Sequence, residues 1–434
     1  MMITKELCLS MDFKEYVILG AGIAGLGASY ALLTQGKSCV IFEKDDKYGG
    51  LCGNFEKEGF RFDRFVHFTF TKNEKVNTIF KKSSPEVYRH IPNAYNLYKG
   101  IWIKHPAQNN LYPLEDKEKE LIISDFKKRK SVDGVTASNY EEWLRLQFGD
   151  YFAEHFPMVY TKKYWMRDAK ELRTEWVGQR VYQPSIEEVI SGAENPETPI
   201  TYYAKEMRYP KYGGFKSFLL EMAKNADIRY SKEVKLIDSN EKVITFKDGS
   251  KVRYNRLISS LPLPEIVRFM KGDVPQKVRE AAEKLECTCG YHISVALRTK
   301  NIPPYLWWYI YDKDILASRV HSPSLKSPDN APDGCSSLQF EVYCKEHEYS
   351  ENQLIDGTIG KLINLGVINE EDILFVNLGY EKYANVIFTE PIFKVRKMVR
   401  DYFSSIGIET IGRFGEWDYL WSDQSLLSGL NLRI

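Results

Sequence analysis

Three glycines near the start of the chain have the spacing that lets a backbone turn bind a phosphate. They lie in the run GAGIAG, in which Gly20 permits a tight turn, Gly22 lets the backbone approach a pyrophosphate and Gly25 allows close helix packing. The N–H groups of this turn, including those of Ile23 and Ala24, would face the anion together with the positive end of the helix dipole. The spacing therefore predicts a dinucleotide site.

A carboxylate follows at the distance that a ribose requires. Glu43 ends a second apolar run, residues 39–42, about 20 residues beyond the turn. A carboxylate there accepts hydrogen bonds from both ribose hydroxyls and repels a 2′-phosphate. Residues 16–19 form the first apolar run, and small residues continue from Gly25 to Gly36. Strand, tight turn, helix and strand in this order predict one βαβ unit of a Rossmann-type fold.

Length and composition restrict the class of protein. A chain of 434 residues exceeds the usual size of one core, so we expect two or three subdomains. The balance of 60 Lys+Arg against 59 Asp+Glu argues against nucleic-acid binding. No run approaches the roughly 20 apolar residues of a membrane helix, and the first 13 residues lack a signal-peptide pattern, so we expect a cytoplasmic protein without an integral membrane segment.

The cysteines and aromatic residues have ordinary explanations. The 7 cysteines lack paired CxxC spacing, so we expect reduced thiols and no metal site. Aromatic residues make up 14% of the chain, which indicates a large core, with aromatic ligand stacking as the alternative.

A glycine doublet after the acid favours FAD over NAD. The run KYGGL, which ends in Gly50 and Leu51, resembles the second motif of glutathione-reductase-type flavoproteins, where bare backbone passes close to the cofactor. We therefore expect FAD, with Lys44, Gly50 and Leu51 among its contacts.

Further motifs are spread over the rest of the chain. They are GFRFD leading to His67, YTKKYW from Tyr160 to Trp165, WVGQR ending at Arg180, YPKYGGF from Tyr209, ASRVH around Arg319, and GRFGEWDY from Gly412 to Tyr419. Together they resemble the UDP-galactopyranose mutases, within the amine oxidase and protoporphyrinogen oxidase superfamily. The resemblance extends over most of the chain.

The resemblance implies catalytic roles for one histidine and two arginines. His67 would lie over the flavin and orient it or a sugar hydroxyl, although the usual glycine of this loop is Phe65 here. Arg180 and Arg319 would meet beside the flavin and neutralise a departing diphosphate, since planar guanidinium groups bind phosphate oxygens bidentately. The alternatives are a packing histidine and two solvated surface charges.

The resemblance also implies contacts with the substrate. Tyr160 and Trp165 would bracket uridine, with two core aromatics on a helix as the alternative. Trp308 belongs to an aromatic cluster before Arg319, and Tyr419 would bind the sugar-nucleotide phosphates. The family has a phosphate-binding tyrosine ahead of a proline, for which this chain offers only Tyr383 as a stand-in.

The remaining cofactor contacts are implied in the same way. Arg413, next to Gly412, would bind the FAD pyrophosphate, and the backbone of Val234 would meet the adenine. The helix that begins near Asp423 and Gln424 would place its N-terminus under the isoalloxazine.

In this family, N5 of the reduced flavin attacks the anomeric carbon as UDP leaves, and the sugar ring opens and recloses as a furanose. The resemblance therefore implies an isomerase of nucleotide sugars for cell-surface polysaccharide, such as lipopolysaccharide, biosynthesis. It would need an external reductant such as NAD(P)H or reduced flavin, and a homo-oligomer is an open option. The sequence does not distinguish UDP-galactose, its N-acetyl relative and other nucleotide sugars, because each would need the same two arginines to bind its diphosphate.

Two other functions stay open. An FAD-dependent oxidoreductase of the amine oxidase or protoporphyrinogen oxidase type would have an apolar pocket without two phosphate-binding arginines. A flavin-binding relic that serves as an interaction partner would have lost both arginine positions, and both are present.

The expected fold is α/β: a Rossmann-type, glutathione-reductase-like FAD-binding domain with a helical insertion and a mainly antiparallel sheet. Residues 291–388 carry the strand-like runs of that sheet, with one helix near residues 353–365. The predicted segments are 12–75, 208–265 and 395–434 for the FAD-binding domain, 76–207 for the mainly helical substrate insertion and 266–394 for the sheet substrate domain.

Overall fold

The computed structural model describes residues 12–129, 137–178, 180–202, 204–272 and 274–432. Its strands are β1 (Asp12–Leu19), β2 (Cys39–Phe42), β3 (Asn54–Lys57), β4 (Phe60–Asp63), β5 (Val87–His90), β6 (Ala94–Tyr98), β7 (Ile101–Lys104), β8 (Met207–Pro210), β9 (Asp227–Arg229), β10 (Val234–Asp238), β11 (Val243–Phe246), β12 (Lys251–Ser259), β13 (Cys287–Leu297), β14 (Trp307–Ile310), β15 (Arg319–His321), β16 (Ser336–Cys344), β17 (Ile373–Val386) and β18 (Ile408–Thr410). Its α-helices are α1 (Ile23–Thr34), α2 (Glu74–Ser83), α3 (Asp116–Lys128), α4 (Tyr140–Phe148), α5 (Asp150–His155), α6 (Pro157–Trp165), α7 (Ile186–Glu194), α8 (Leu220–Lys224), α9 (Leu263–Phe269), α10 (Gln276–Glu283), α11 (Pro323–Lys326), α12 (Glu351–Ile355), α13 (Lys361–Asn364), α14 (Ile392–Ser405), α15 (Gly412–Gly415) and α16 (Ser422–Leu430).

The chain divides into two compact units. The first, here called the dinucleotide unit, comprises the chain up to Gly50, Leu219–Leu285 and the chain from Phe393 onward. The second, here called the sheet unit, comprises Leu51–Phe218 and Glu286–Ile392. The finer division into five segments stays a prediction.

The dinucleotide unit is built on a parallel core of strands. Its sheet has the order β10-β11-β12-β1-β2-β9, with β18 also paired to β12. β1 pairs in parallel with both β2 and β12, and its apolar run ends in Val17, Ile18 and Leu19, which are fully buried. Strands covered on both faces read as continuous apolar runs, which is why the sequence indicated them. The Rossmann-type prediction is confirmed.

Small residues bring α1 and α16 into backbone contact. A Cβ atom on Gly429 of α16 would lie 2.1 Å from the carbonyl oxygen of Ala24 in α1. A Cβ on Gly27 of α1 would lie 2.8 Å from Cδ1 of Leu426. Neither position has room for a side chain, so these glycines fix α16 against the helix that follows the phosphate turn.

The sheet unit confirms the mainly antiparallel expectation. Its large sheet has the order β17-β13-β16-β15-β14-β6-β7, and every pairing is antiparallel except that of β14 with β6. The expected helix near residues 353–365 is α12 and α13, joined by a π-helical turn at Asp356–Gly360. The sequence did not indicate β5, β6 and β7, which precede the predicted helices.

The two faces of the large sheet differ in polarity. One face is apolar and fully buried, with Trp308, Val320 and Phe340 among its side chains. The other face is polar because alternate residues of the same strands point to it. Cross-strand register sets two polar rows there, His292–Glu341–Arg319 and Ser294–Gln339–His321. This polar face positions the candidate site of the unit.

Candidate active site

The glycine turn has the geometry that the sequence predicted. Gly20 has φ +94°, and a Cβ on Gly25 would lie 2.0 Å from the carbonyl oxygen of Gly20. α1 begins at Ile23 with Gly22 as its N-cap, and its first turn has neither a side-chain cap nor an acidic residue. The N–H groups and the dipole at this helix end suit an anion.

Glu43 is placed beside this turn at the end of β2. Its side chain is buried, and Oε2 accepts the N–H of Ala21 at 2.7 Å while Oε1 accepts the N–H of Asp45 at 3.0 Å. A carboxylate has about four acceptor sites, so two remain for a ribose diol.

The glycine doublet runs alongside the turn as bare backbone. The N–H of Gly49 donates to the carbonyl of Ala21 at 2.9 Å, and a Cβ on Gly50 would lie 3.2 Å from Cα of Gly22. A side chain at Gly50 would crowd the backbone of Gly22. The close approach of the two glycine segments fits the adenosine diphosphate half of FAD.

The other predicted cofactor residues lie at different depths. Lys44 is exposed, while Val234 is buried as the first residue of β10. Leu51 belongs to the sheet unit. Their roles as FAD contacts stay predictions.

The segment from Gly412 is brought to the start of α1. A Cβ on Gly412 would lie 2.6 Å from Cβ of Ala24. Arg413 lies with its guanidinium carbon 4.8 Å from the ring centroid of Tyr419, and its Nη1 donates to the carbonyl of Leu420 at 3.0 Å. This arrangement places Arg413 in the same unit as the phosphate turn, as a pyrophosphate contact would require.

The first turn of α16 contains the other two predicted residues of this segment. Gln424 accepts the N–H of Trp421 at 2.9 Å through Oε1, which orders the start of the helix, and Asp423 lies beside it.

In the sheet unit, Arg319 forms a partly buried ion pair with Glu341. Nε and Nη2 of Arg319 donate to Oε2 of Glu341 at 2.9 Å and 2.6 Å. Burial opposes the charged form, but the Glu341 carboxylate outweighs it and holds the pKa of Arg319 well above its usual range. The Arg319 side chain is 19% exposed and that of Glu341 0%, so the cation forms the accessible side of the pair.

His67 lies on the loop after β4. Its Nδ1 is 2.9 Å from the carbonyl oxygen of Phe65, and its ring packs on Phe215 at 4.9 Å between centroids. Burial lowers its pKa; the Asp63 carboxylate opposes this shift and the Lys326 cation adds to it. The lowered pKa favours the neutral imidazole, which can orient a hydroxyl.

The acid of the GFRFD motif has a structural role that the sequence did not reveal. Oδ2 of Asp63 accepts Nζ of Lys326 at 2.8 Å and the hydroxyl of Tyr209 at 2.7 Å, and Oδ1 accepts the N–H of Phe215 at 3.1 Å. These contacts anchor the His67 loop.

His321 occupies the polar face beside these charges. It is fully buried, and neither ring nitrogen has a hydrogen-bond partner among the described residues. Burial, with Lys326 and Arg319 next in effect, lowers its pKa well below the usual range. The alternating polar residues of β13, β15 and β16 were the sequence signal that could have revealed this face.

Aromatic residues of α6 adjoin the polar face. Tyr160 stacks on Tyr164 at 5.3 Å and meets Tyr309 edge-on at 5.4 Å. The ring of Tyr164 lies 5.9 Å from the guanidinium carbon of Arg319. The structure therefore brings Tyr160 and Arg319 into one cluster.

Arg180 and Trp165 join this cluster through a second tryptophan. Trp165 is buried and contacts Tyr164 at 4.9 Å and Trp176 at 5.0 Å between centroids. Nη1 of Arg180 donates to the carbonyl of Trp176 at 2.9 Å. A chain of contacts through Trp176 and Trp165 thus links Arg180 to the Tyr164 ring beside Arg319. Gln179, in the same motif, lies outside the described residues.

Two other predicted substrate residues lie apart from this cluster. Trp308 is fully buried on the apolar face, whereas its neighbour Tyr309 points to the polar face. Tyr383 lies on the edge strand β17, three inter-strand spacings of about 4.8 Å from β15. Their roles stay predictions, and Tyr309 is the ring of β14 that reaches the cluster.

Comparison with known proteins decides the family. The model for "Flavin containing amine oxidoreductase" matches residues 23–363, most of the chain. The chain belongs to this family. Its cofactor is FAD, which confirms the prediction from the glycine motifs, and the chain is an FAD-dependent enzyme of the amine oxidase superfamily.

The chain shares its fold with a solved structure and is similar in sequence to other proteins. The crystal structure of reduced UDP-galactopyranose mutase superposes with a TM-score of 0.90 over 96% of this chain and 92% of that chain, at 23% identity. Phytoene desaturase of Fusarium fujikuroi is 25% identical over 383 residues, 75% of this chain and 65% of that protein. The inactive all-trans-retinol 13,14-reductase of Danio rerio is 40% identical over only 52 residues, which span 12% of this chain and 9% of that protein. The α/β fold prediction is confirmed. Among the described residues, no helix combines the length and the apolar character needed to cross a bilayer.

Proposed function

We propose that this flavin-containing amine oxidoreductase family member is an isomerase that interconverts the pyranose and furanose forms of a nucleotide sugar, as the resemblance to UDP-galactopyranose mutases implies. The observation that carries the proposal is the charged polar face of the sheet unit, with the Arg319 cation on its accessible side.

The charges of this face suit an anionic, hydroxyl-rich substrate. Burying an arginine, a carboxylate and two histidines is unfavourable, since each buried polar group needs a partner. A hydrocarbon substrate would offer no acceptor to the accessible side of Arg319, and a cationic amine would be repelled by Arg319. A sugar diphosphate offers both anionic oxygens and hydroxyls.

Arg319 has a donor suited to the diphosphate. Within the described residues, its hydrogen bonds use Nε and Nη2. Nη1 makes no hydrogen bond to any residue that the structure describes and can donate to a phosphate oxygen. A fixed guanidinium stabilises negative charge that develops on a leaving group, and such preorganised donors contribute strongly to catalysis.

The other residues of the cluster would bind and orient. Because Nδ1 of His67 donates to the carbonyl oxygen of Phe65, Nε2 of a neutral ring can accept a hydrogen bond from a sugar hydroxyl. The stacked rings of Tyr160 and Tyr164 offer a surface for an aromatic base. Arg180 would add a second guanidinium to the phosphates. The reduced flavin, when bound, supplies the electron pair for exchange at the anomeric carbon, and an external reductant such as NAD(P)H or reduced flavin would maintain it.

An FAD-dependent oxidoreductase is the second candidate. It is favoured by the family match and by the similarity to phytoene desaturase over three quarters of this chain. This enzyme would use oxidised flavin and accept a substrate of low polarity.

One experiment separates the two functions. The purified yellow protein is reduced with dithionite without oxygen and incubated with UDP-galactopyranose or UDP-galactofuranose, and products are separated by chromatography. Interconversion by the reduced protein, and none by the oxidised protein, supports the isomerase. If neither sugar reacts while an amine or a porphyrinogen bleaches the oxidised flavin, the isomerase is excluded.

A further inference from the structure

One buried carboxylate connects two parts of the sheet unit that the proposed function uses. Oε1 of Glu341 accepts the N–H of Val66 at 3.0 Å, and Oε2 accepts both donors of Arg319. Val66 directly precedes His67. The Glu341 carboxylate thus joins the Arg319 guanidinium to the loop that carries His67.

Tyr343 holds this carboxylate from a third side. Its hydroxyl donates to Oε2 of Glu341 at 2.7 Å, and its ring stacks with Phe65 at 6.3 Å between centroids. Phe65 is the residue that replaces the usual glycine of the His67 loop. Glu341 therefore receives hydrogen bonds from three different segments and has acceptor sites for all of them only as a carboxylate.

The same pairing sets the charge that Arg319 presents. A carboxylate bound at two guanidinium nitrogens offsets much of the field of the cation at a nearby anion. Without it, the cation would bind a diphosphate more tightly before and after the reaction alike. Such uniform binding lowers the concentration needed for saturation but does not accelerate turnover.

We propose that Glu341 is a positioning residue for the nucleotide-sugar reaction. It fixes Nη1 of Arg319 relative to the His67 loop, and it moderates the charge of Arg319 so that the diphosphate is held during exchange and then released. The inference rests on the proposed function.

Two variants of Glu341 separate the effect of its charge from the effect of its side-chain length. Glu341→Gln preserves the shape but removes the charge, and its single acceptor oxygen cannot serve both Arg319 and Val66. We expect the Kd for UDP to fall about tenfold and kcat to fall about 100-fold. Glu341→Asp preserves the charge but shortens the side chain by one methylene. We expect an unchanged Kd for UDP, within about twofold, and a kcat about tenfold lower.

The measurements use the flavin-loaded full-length protein. UDP binding is followed by calorimetry, turnover with the dithionite-reduced protein, and folding by thermal unfolding. If Glu341→Gln does not fold, Glu341→Asp alone tests the positioning role through the loss of kcat at constant Kd. Variants that unfold at lower temperature but retain wild-type kcat and UDP affinity would identify Glu341 as purely structural and overturn the inference.

The failure of the proposed function gives a different result. If the wild-type protein binds neither UDP nor UDP-galactose, the nucleotide-sugar proposal and this inference both fall. If the wild-type protein binds UDP and converts the sugar while both variants behave like it, only the role of Glu341 is refuted.

Discussion

Nζ of Lys326 donates to Oδ2 of Asp63 at 2.8 Å, and both side chains are completely buried. The two residues are 263 positions apart in the chain. Burial lowers the pKa of Lys326, while the Asp63 carboxylate opposes that shift. The pair joins β4 to α11 below the His67 loop.

Asp63→Asn should strongly destabilise the protein. The substitution leaves a buried ammonium without its carboxylate, and breaking such a pair costs about 3–5 kcal/mol. The free energy of unfolding is measured in urea. The double variant Asp63→Asn with Lys326→Met removes both charges and should recover much of the loss. A change below about 1 kcal/mol for Asp63→Asn would contradict the buried pair.

Gly25→Ala should prevent FAD loading and unfold the protein at a lower temperature. Its Cβ would lie 2.0 Å from the carbonyl oxygen of Gly20, and relieving this clash would require the backbone of the turn to move. Gly22→Val provides the contrast, since the nearest atom to a Cβ there is Cα of Gly50 at 3.9 Å. This variant should fold but fail to bind FAD because its side chain fills the pyrophosphate path. Flavin absorbance measures FAD loading, and thermal unfolding measures stability. A Gly22→Val protein with full flavin content would contradict the assignment of this turn as the pyrophosphate site.

Stability should fall as the pH drops below 6.5, partly through His292. Burial, with the Arg64 cation next, lowers the pKa of His292 from 6.5 to about 4. As pH falls through this window, the unfolded chain takes up the proton first and is favoured. A histidine with this shift changes the free energy of unfolding by about 1.4 kcal/mol per pH unit between pH 6.5 and about 4. Above pH 6.5 it adds no pH dependence. The free energy of unfolding, measured in urea at several pH values, should depend less steeply on pH in His292→Asn than in the wild-type protein. An identical pH dependence would refute the assignment.

His321→Leu should leave the free energy of unfolding unchanged or raise it by about 1 kcal/mol. The substitution removes a buried ring whose two nitrogens have no partner among the described residues. An unsatisfied buried polar group is unfavourable by about 1–3 kcal/mol. Chemical denaturation at pH 7 measures the effect. A clear loss of stability would show that the ring is hydrogen-bonded in solution.

Arg319→Ala should retain flavin, but its kcat should fall by a factor of about 10²–10³ or more, because the leaving diphosphate loses its preorganised donor. Arg319→Lys should also be impaired, since an ammonium cannot bind Glu341 at two points and still present a fixed donor. Arg268→Ala is the control, because Arg268 is an exposed residue whose ion pair among the described residues is with Glu265. Flavin content and dithionite-dependent turnover are measured. Wild-type activity of Arg319→Ala would refute its assigned role.

Local patterns determined the cofactor part of this protein. The Gly20 turn, α1 and the acid at Glu43 could be predicted because the required backbone geometry and the ribose contact are set by residues close in sequence. The mainly antiparallel sheet was also predictable, since strand alternation is a local property. The glycines at 27 and 429 carried no such signal, because their need for a bare backbone arises only when α1 meets α16.

The tertiary structure decided the chemistry of the polar face. Residue types and motifs singled out Arg319 and His67, but not the carboxylate of Glu341 that joins them. Sheet register determines which side chains of distant strands face one another, and it directs Tyr309 to this face while Trp308 enters the apolar core. Register depends on the packing of whole strands, so neighbouring residues alone could not reveal it.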